Sequence, residues 1–301
     1  MRSEAMVAAV ARDRCRILAD LLVLTKPRVV LMVVLVTMVG YYLGLGGQAD
    51  YRVVLHLLVG TMLAAGGTLA LNQYGERDVD ARMERTRARP LPDGRLAPVE
   101  ALAFGTVLAV AGLVQLAAGV TVWAAAVTAC TTVLYLFAYT PLKLRTPLAT
   151  LVGAVPGALP PVTGWVAASG ELGLGAWVLF GILFLWQVPH TLAIARLYRD
   201  DYAQAGVRVL PVVDDGGHST ERQIVVGSLG LLAVSLLPTL IGLTGSVYFI
   251  GALAAGTVLA TLAARQALAP SSAGARRMLL GSLLYLSVVL ALLASDKAGP
   301  S

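Results

Sequence analysis

Residues 53–80 read VVLHLLVGTMLAAGGTLALNQYGERDVD, and their reading decides the fold. From 53 to 75 there is no Asp, Glu, Lys or Arg. About 20 predominantly apolar residues cross the hydrocarbon core of a bilayer as one α-helix. The same helix then runs into Asn72, Glu76 and Asp80, spaced four apart. Each step of four advances a helix by about 40° past one full turn, so the three side chains share a stripe. Asp78 points away from that stripe.

Further charge-free runs lie on either side, at 29–49, 101–142, 146–170, 172–195, 223–264 and 278–295. A charge at the bilayer centre costs roughly 2.5–3.5 kcal/mol, so these runs outline membrane spans. The runs 101–142 and 223–264 are long enough for two spans each, dividing at Gly119 and at Gly242 to Ser246. The expectation is an all-α polytopic membrane protein with about nine transmembrane helices around a central cavity opening to the cytoplasmic side. Composition agrees. Of 301 residues 57% are hydrophobic and 13% charged, against roughly 25% charged in soluble domains. A soluble protein this apolar could not cover its surface, so lipid is its outer solvent.

Nine helices place 21 of the 23 Lys and Arg residues on one side, leaving only Arg52 and Lys297 on the other. The positive-inside rule makes the basic side cytoplasmic, with the N-terminus, in the cell (inner) membrane. The net charge of +6 therefore reflects membrane topology, and no nucleic-acid partner is expected. No long apolar core precedes Thr25, so the first span is expected to direct insertion. Residues 1–24 are expected to form a cytoplasmic segment of one domain spanning 1–301. Cys15 and Cys130 are too few for a disulfide framework.

Two cytoplasmic loops are long, roughly 73–98 and 196–222, and hold most of the acids. In the first, Asn72, Glu76 and Asp80 offer hard oxygen ligands, which suit Mg²⁺ shared with a substrate phosphate better than zinc. Arg85, Arg87 and Arg89 follow as bidentate phosphate donors. Acid that holds Mg²⁺ beside Arg that holds oxyanion is the pattern expected for diphosphate. In the second, the run Trp186-Gln187-Val-Pro189-His190 ends an apolar span, and Asp200 and Asp201 follow. Pro189 is expected to break that helix. The paired acids are candidates for a second metal position, and His190 is a candidate ligand-orienting group. Lys143 and Arg145, and likewise Lys26 and Arg28, are either snorkelling anchors or diphosphate-neutralising cations. The span holding Gly153, Pro156, Gly157, Pro160, Pro161 and Gly164 is expected to bend and to leave room for a bulky ligand.

These segments resemble the intramembrane aromatic prenyltransferase (UbiA-like) superfamily and, more closely, its haem branch. The resemblance runs from Leu24 to about Leu293. It is carried by Leu24-Thr-Lys-Pro-Arg-Val, by the Asn72/Glu76/Asp80 stripe, and by Met83-Glu-Arg-Thr-Arg-Ala-Arg-Pro-Leu. Further carriers are Tyr139-Thr-Pro-Leu-Lys143, Gly153 to Pro161, Trp186 to His190, and Asp201-Tyr-Ala-Gln-Ala-Gly206. It implies farnesyl diphosphate and haem b as substrates, haem O and diphosphate as products, and Mg²⁺ as cofactor. Asn72, Glu76, Asp80 and Asp201 would be the catalytic metal-binding set, with Asp200 beside them. Lys26, Arg85, Arg89, Lys143 and Arg145 would bind the diphosphate. Trp186, Gln187, His190 and Tyr198 would line the acceptor pocket. A haem A synthase or a terminal oxidase assembly is an implied neighbour. The chain departs from the superfamily pattern at Leu197 and Ala205, which stand where further acids four residues from Asp201 would complete a second stripe. It also has Thr191-Leu192 where an aromatic is expected after His190, and Ala149 where the haem branch commonly has Asn. Two other readings share the sequence features: a quinone-precursor or other aromatic prenyltransferase of the same superfamily, and a small-molecule transporter with a broken helix as gate.

Overall fold

The computed structural model describes residues 16–214 and 216–298. Among them nine helices are long and apolar enough to cross a membrane. They are α1 (Pro27–Gly44), α2 (Tyr51–Asp80), α3 (Pro98–Gly119), α4 (Val122–Leu142), α5 (Ala149–Ser169), α6 (Leu174–Leu197), α7 (His218–Leu240), α8 (Ser246–Leu268) and α9 (Ser272–Ser295). The divisions expected at Gly119 and at Gly242 to Ser246 are both present. Large apolar side chains such as Leu31, Val107, Trp123 and Leu284 stand exposed around the outside, as a lipid-facing surface requires.

Local chemistry sets the helix ends. Pro27 and Pro98 open α1 and α3, where their missing N–H groups cost nothing. Asp50, Thr121 and Ser271 cap α2, α4 and α9 by accepting from Arg52 N, Ala124 N and Gly274 N. In α5, Leu159 separates two half-helices, Ala149–Ala158 and Pro160–Ser169, as the clustered prolines and glycines led one to expect. The break expected at Pro189 is absent. Helix α6 is continuous from Leu174 to Leu197 with Pro189 inside it. The ring removes one backbone hydrogen bond there, but the turns on both sides remain packed, and Gly227 of α7 leaves room beside the proline ring.

Close backbone approach holds the spans together where lipid removes any hydrophobic drive between helices. In the α2–α3 seam, a Cβ on Gly67 would stand 2.6 Å from the Gly105 carbonyl oxygen, and one on Gly112 2.7 Å from that of Gly60. Helix α1 packs against the second half of α5, α6 packs against both α7 and α9, and α9 also meets α1. At the end of the bundle away from Asp80, Lys297 Nζ donates to the Tyr42 and Leu45 carbonyls at 2.7 Å each. Six spans, α1, α2, α4, α5, α6 and α9, enclose a cavity of about 650 Å³, while no described residue of α3, α7 or α8 lines it. Those three pack from outside.

Candidate active site

One end of the cavity is built on the stripe of α2. Asn72, Glu76 and Asp80 are buried and all three line the cavity. Asn72 Nδ2 donates to Glu76 Oε1 at 2.7 Å and to Thr140 Oγ at 3.1 Å, and Lys26 Nζ stands 3.4 Å from Asn72 Oδ1. Lys143 pairs with Glu76 Oε2 at 2.7 Å, and Arg89 with Asp80 Oδ2 at 2.5 Å. The Asp80 carbonyl accepts from Thr86 Oγ at 2.8 Å, tying the loop that carries Arg85 and Arg89 to the helix end.

Backbone geometry aims Lys26 at this group. It is the only non-glycine residue with positive φ among those described, at φ 50 and ψ 66. A left-handed conformation costs a side-chain-bearing residue roughly 1–2 kcal/mol, and the following Pro27 adds its own restriction. Burial, and then the Arg89 charge, hold the Lys26 ammonium down to about 8. A cation kept in such a place is short of anions. Five cationic side chains, Lys26, Arg28, Arg85, Arg89 and Lys143, line the cavity against two carboxylates. The surplus suits a polyanionic head group.

Helix α4 supplies the next layer. Its turn at Leu134–Tyr139 is a π-helix, and Thr140 Oγ bonds back to the Tyr135 carbonyl at 2.8 Å. The widened turn brings Tyr135 and Tyr139 to the cavity wall, ring centroids 5.3 Å apart. The rest of the lining mixes apolar side chains such as Met32, Val36, Leu183 and Leu286 with the threonines Thr37, Thr61, Thr128 and Thr163.

The second arm comes from α6. Trp186, Gln187 and His190 line the cavity wall. Trp186 and His190 stack with centroids 4.5 Å apart and planes 19° apart. Gln187 Nε2 donates to the Ala154 and Leu183 carbonyls at 3.1 and 3.2 Å, seated against Gly157 of the broken α5. Other expected residues lie elsewhere. The Asp201 carboxylate accepts from the backbone amides of Glu84 and Arg85 at 3.1 and 3.2 Å. Neither Asp200 nor Asp201 lines the cavity, and Arg145 and Tyr198 are exposed outside it. Arg85 bridges the two loops, its guanidinium 4.8 Å from the Tyr198 ring centroid and bonded to Tyr202 OH at 3.2 Å.

Sequence reasoning assigned no site role to Thr140, Tyr135, Tyr139 and Tyr202. Thr140 sits in the quoted Tyr139-Thr-Pro-Leu-Lys143 segment and was within reach. The tyrosines depend on a π turn and a loop contact that have no local signature. Among the described residues no three His, Cys, Asp or Glu side chains group as a metal site. A divalent ion here would take an amide oxygen, two carboxylates, water and substrate oxygens, a donor set that fits Mg²⁺, which keeps waters and shares phosphates.

A buried carboxylate pair under a basic cavity mouth, leading into a chamber inside a bundle of membrane-length helices, is a site suited to an amphipathic polyanion. The chain belongs to the UbiA prenyltransferase family, which residues 33–290 match. Over 289 residues it is 46% identical to the Protoheme IX farnesyltransferase of Solibacter usitatus (strain Ellin6076), covering 93% of this chain and 99% of that one. It is 42% identical over 291 residues to the same-named protein of Koribacter versatilis (strain Ellin345), covering 93% and 94%. A solved digeranylgeranylglyceryl phosphate synthase superposes with a TM-score of 0.78 at 18% identity, covering 93% and 98%. A UbiA homolog from Archaeoglobus fulgidus bound to GPP and Mg²⁺ gives 0.69 at 16% identity, covering 91% and 99%. At those identities the likeness is one of fold.

Proposed function

We propose that this chain transfers the farnesyl group of farnesyl diphosphate to a vinyl group of haem b, giving haem O and diphosphate. The observation that carries the reading is one cavity with two unlike walls, a buried, cation-paired acidic stripe on α2 and the Trp186–His190 stack on α6. The names of its relatives supply the acceptor.

In the reaction the C1–O bond of the allylic diphosphate breaks and the oxygen keeps the electron pair. Lys26, Arg85, Arg89 and Lys143 neutralise the charge that grows on the leaving group, where one well-placed donor is typically worth roughly 3–4 kcal/mol. On substrate arrival Lys143 and Arg89 exchange their carboxylate partners for phosphate oxygens, and Glu76 and Asp80 are then free to hold a cation. Mg²⁺, held by Asn72, Glu76 and Asp80, would supply further leaving-group charge stabilisation. Tyr135 and Tyr139 wall the allylic carbon and keep water from that carbon, where it would quench the cationic character. The vinyl π electrons form the new C–C bond, and water adds to the resulting cation with loss of a proton, leaving a hydroxyethylfarnesyl substituent.

Asp200 and Asp201 are the candidates for a second metal position, reached once the Glu84–Arg85 amides release the Asp201 carboxylate. Arg145 would join the diphosphate only after a similar shift. Tyr198 would border the acceptor through its contact with Arg85. The cavity holds one drug-sized ligand, so the porphyrin projects in part toward lipid. The chain acts as one domain over 1–301, in the cell membrane with its N-terminus cytoplasmic, since the basic loops share the face that carries the cavity mouth. Delivery to a haem A synthase or a terminal oxidase assembly follows from the apolar product.

Membranes containing the protein, given farnesyl diphosphate and Mg²⁺ with either haem b or 4-hydroxybenzoate, test the reading by mass spectrometry. A farnesylated haem and free diphosphate are expected from the first acceptor only. Product from 4-hydroxybenzoate alone would replace the acceptor assignment, and no diphosphate release with either would end the transferase reading.

A further inference from the structure

The α6 wall contains a hydrogen-bond relay that leaving-group departure does not use. His190 Nδ1 lies 2.8 Å from Ser282 Oγ on α9. That hydroxyl is buried and donates to the Leu279 carbonyl at 2.7 Å. Trp186 Nε1 donates to the backbone carbonyl of the same Ser282 at 2.7 Å. A serine hydroxyl has a single hydrogen. Where that hydrogen goes to Leu279, the oxygen accepts from Nδ1 of a neutral His190. The imidazole lone pair is then on Nε2, and His190 borders the cavity. Among the described residues the His190 ring makes this one hydrogen bond.

Two independent contacts therefore fix one imidazole. Ser282 sets its tautomer and the Trp186 stack sets its plane. Metal-binding histidines show this arrangement generally, the second ring nitrogen donating to an oxygen that orients the first. Resting on the haem reading above, we propose that His190 Nε2 is the axial ligand of the acceptor's porphyrin iron, with Ser282 as the positioning residue that fixes its tautomer. An iron held at that nitrogen fixes the porphyrin about one axis against the α6 wall. The vinyl-bearing edge then has a limited set of approaches to the allylic carbon near the α2 stripe. A helix-joining role alone would explain the same three contacts, but it does not require the ring to border the cavity.

The test is a spectral titration of the purified full chain with ferric haem and, separately, with metal-free protoporphyrin IX. Wild type should give a histidine-ligated Soret spectrum. His190→Gln should lose that spectrum and bind ferric haem about 10- to 100-fold more weakly, while metal-free porphyrin binds as before. His190→Gly should regain the ligated spectrum on addition of imidazole. Ser282→Ala should weaken ferric haem about tenfold at the low end of that range, and Ser282→Thr should restore it. Retention of the ligated spectrum in His190→Gln, or equal weakening for both porphyrins, overturns the proposal. Farnesyl transfer to haem by wild type, measured alongside, separates the outcomes: transfer that persists at the wild-type rate in His190→Gln removes the axial ligand and leaves the function, whereas no transfer by wild type removes the function itself.

Discussion

Helices α2 and α6 make an instructive pair. Each ends an apolar span with polar side chains on the cavity, and each then enters a long loop on the same face. On α2 the stripe is two carboxylates and an amide, and every one has a partner brought from elsewhere in the chain, Lys26, Lys143, Arg89 or Thr140. On α6 they are uncharged, and their partners are backbone carbonyls and one serine. The difference matches the proposed division of donor and acceptor between the two walls. A diphosphate is held by charge, and charge can be stored in the empty site only as exchangeable ion pairs. A planar acceptor is oriented by shape, which neutral, hydrogen-bonded side chains fix without the desolvation cost of an ion.

If that division is right, substitutions on α2 should suppress diphosphate release with any acceptor, and substitutions on α6 should act through the acceptor alone. The largest effect is expected from Asp80→Asn, which keeps shape but removes charge: turnover should fall by roughly 10³-fold with the helical circular dichroism unchanged. Near-normal product formation in that variant would break the comparison at its charged side. Next comes Glu76→Gln, which strands the buried Lys143 ammonium. A loss of about 3–5 kcal/mol in stability is expected, read as a lowered detergent unfolding midpoint. Adding Lys143→Met should recover the midpoint without recovering turnover. A double variant that regains activity would show the pair to be structural only.

Smaller effects sharpen the contrast. Asp201→Asn weakens two hydrogen bonds to loop amides, and turnover should drop about tenfold, in line with bonds to a charged group. A loss as large as that of Asp80→Asn would instead mark Asp201 as a metal ligand during turnover. Gln187→Leu frees two carbonyls beside the α5 break, and steady-state kinetics should show KM for haem raised about fivefold to tenfold with KM for farnesyl diphosphate unchanged. Equal changes in both would mean that α6 also serves the donor. The smallest effect belongs to Arg145→Ala, exposed outside the cavity. Its kcat/KM should stay within about twofold of wild type, as for a surface ion with little net energy.

The fold was legible to a large degree in the sequence, and so was one wall of the site. Charges cannot stay in hydrocarbon, so charge-free runs located nine spans, and Lys and Arg sorted to one side of them. Helical periodicity put Asn72, Glu76 and Asp80 on one stripe, because that is a property of α2 alone. Pro189 was misjudged because a proline removes one hydrogen bond, and whether a helix survives that loss depends on its neighbours, here α7. Tertiary structure alone decided which cations pair with which acids, that Asp201 turns to the amides of Glu84 and Arg85, and that Ser282 on the last helix sets the imidazole of the sixth. Such pairings join residues up to 117 positions apart. They depend on helix rotation and loop course, which packing against several neighbours fixes together and no local run of sequence encodes.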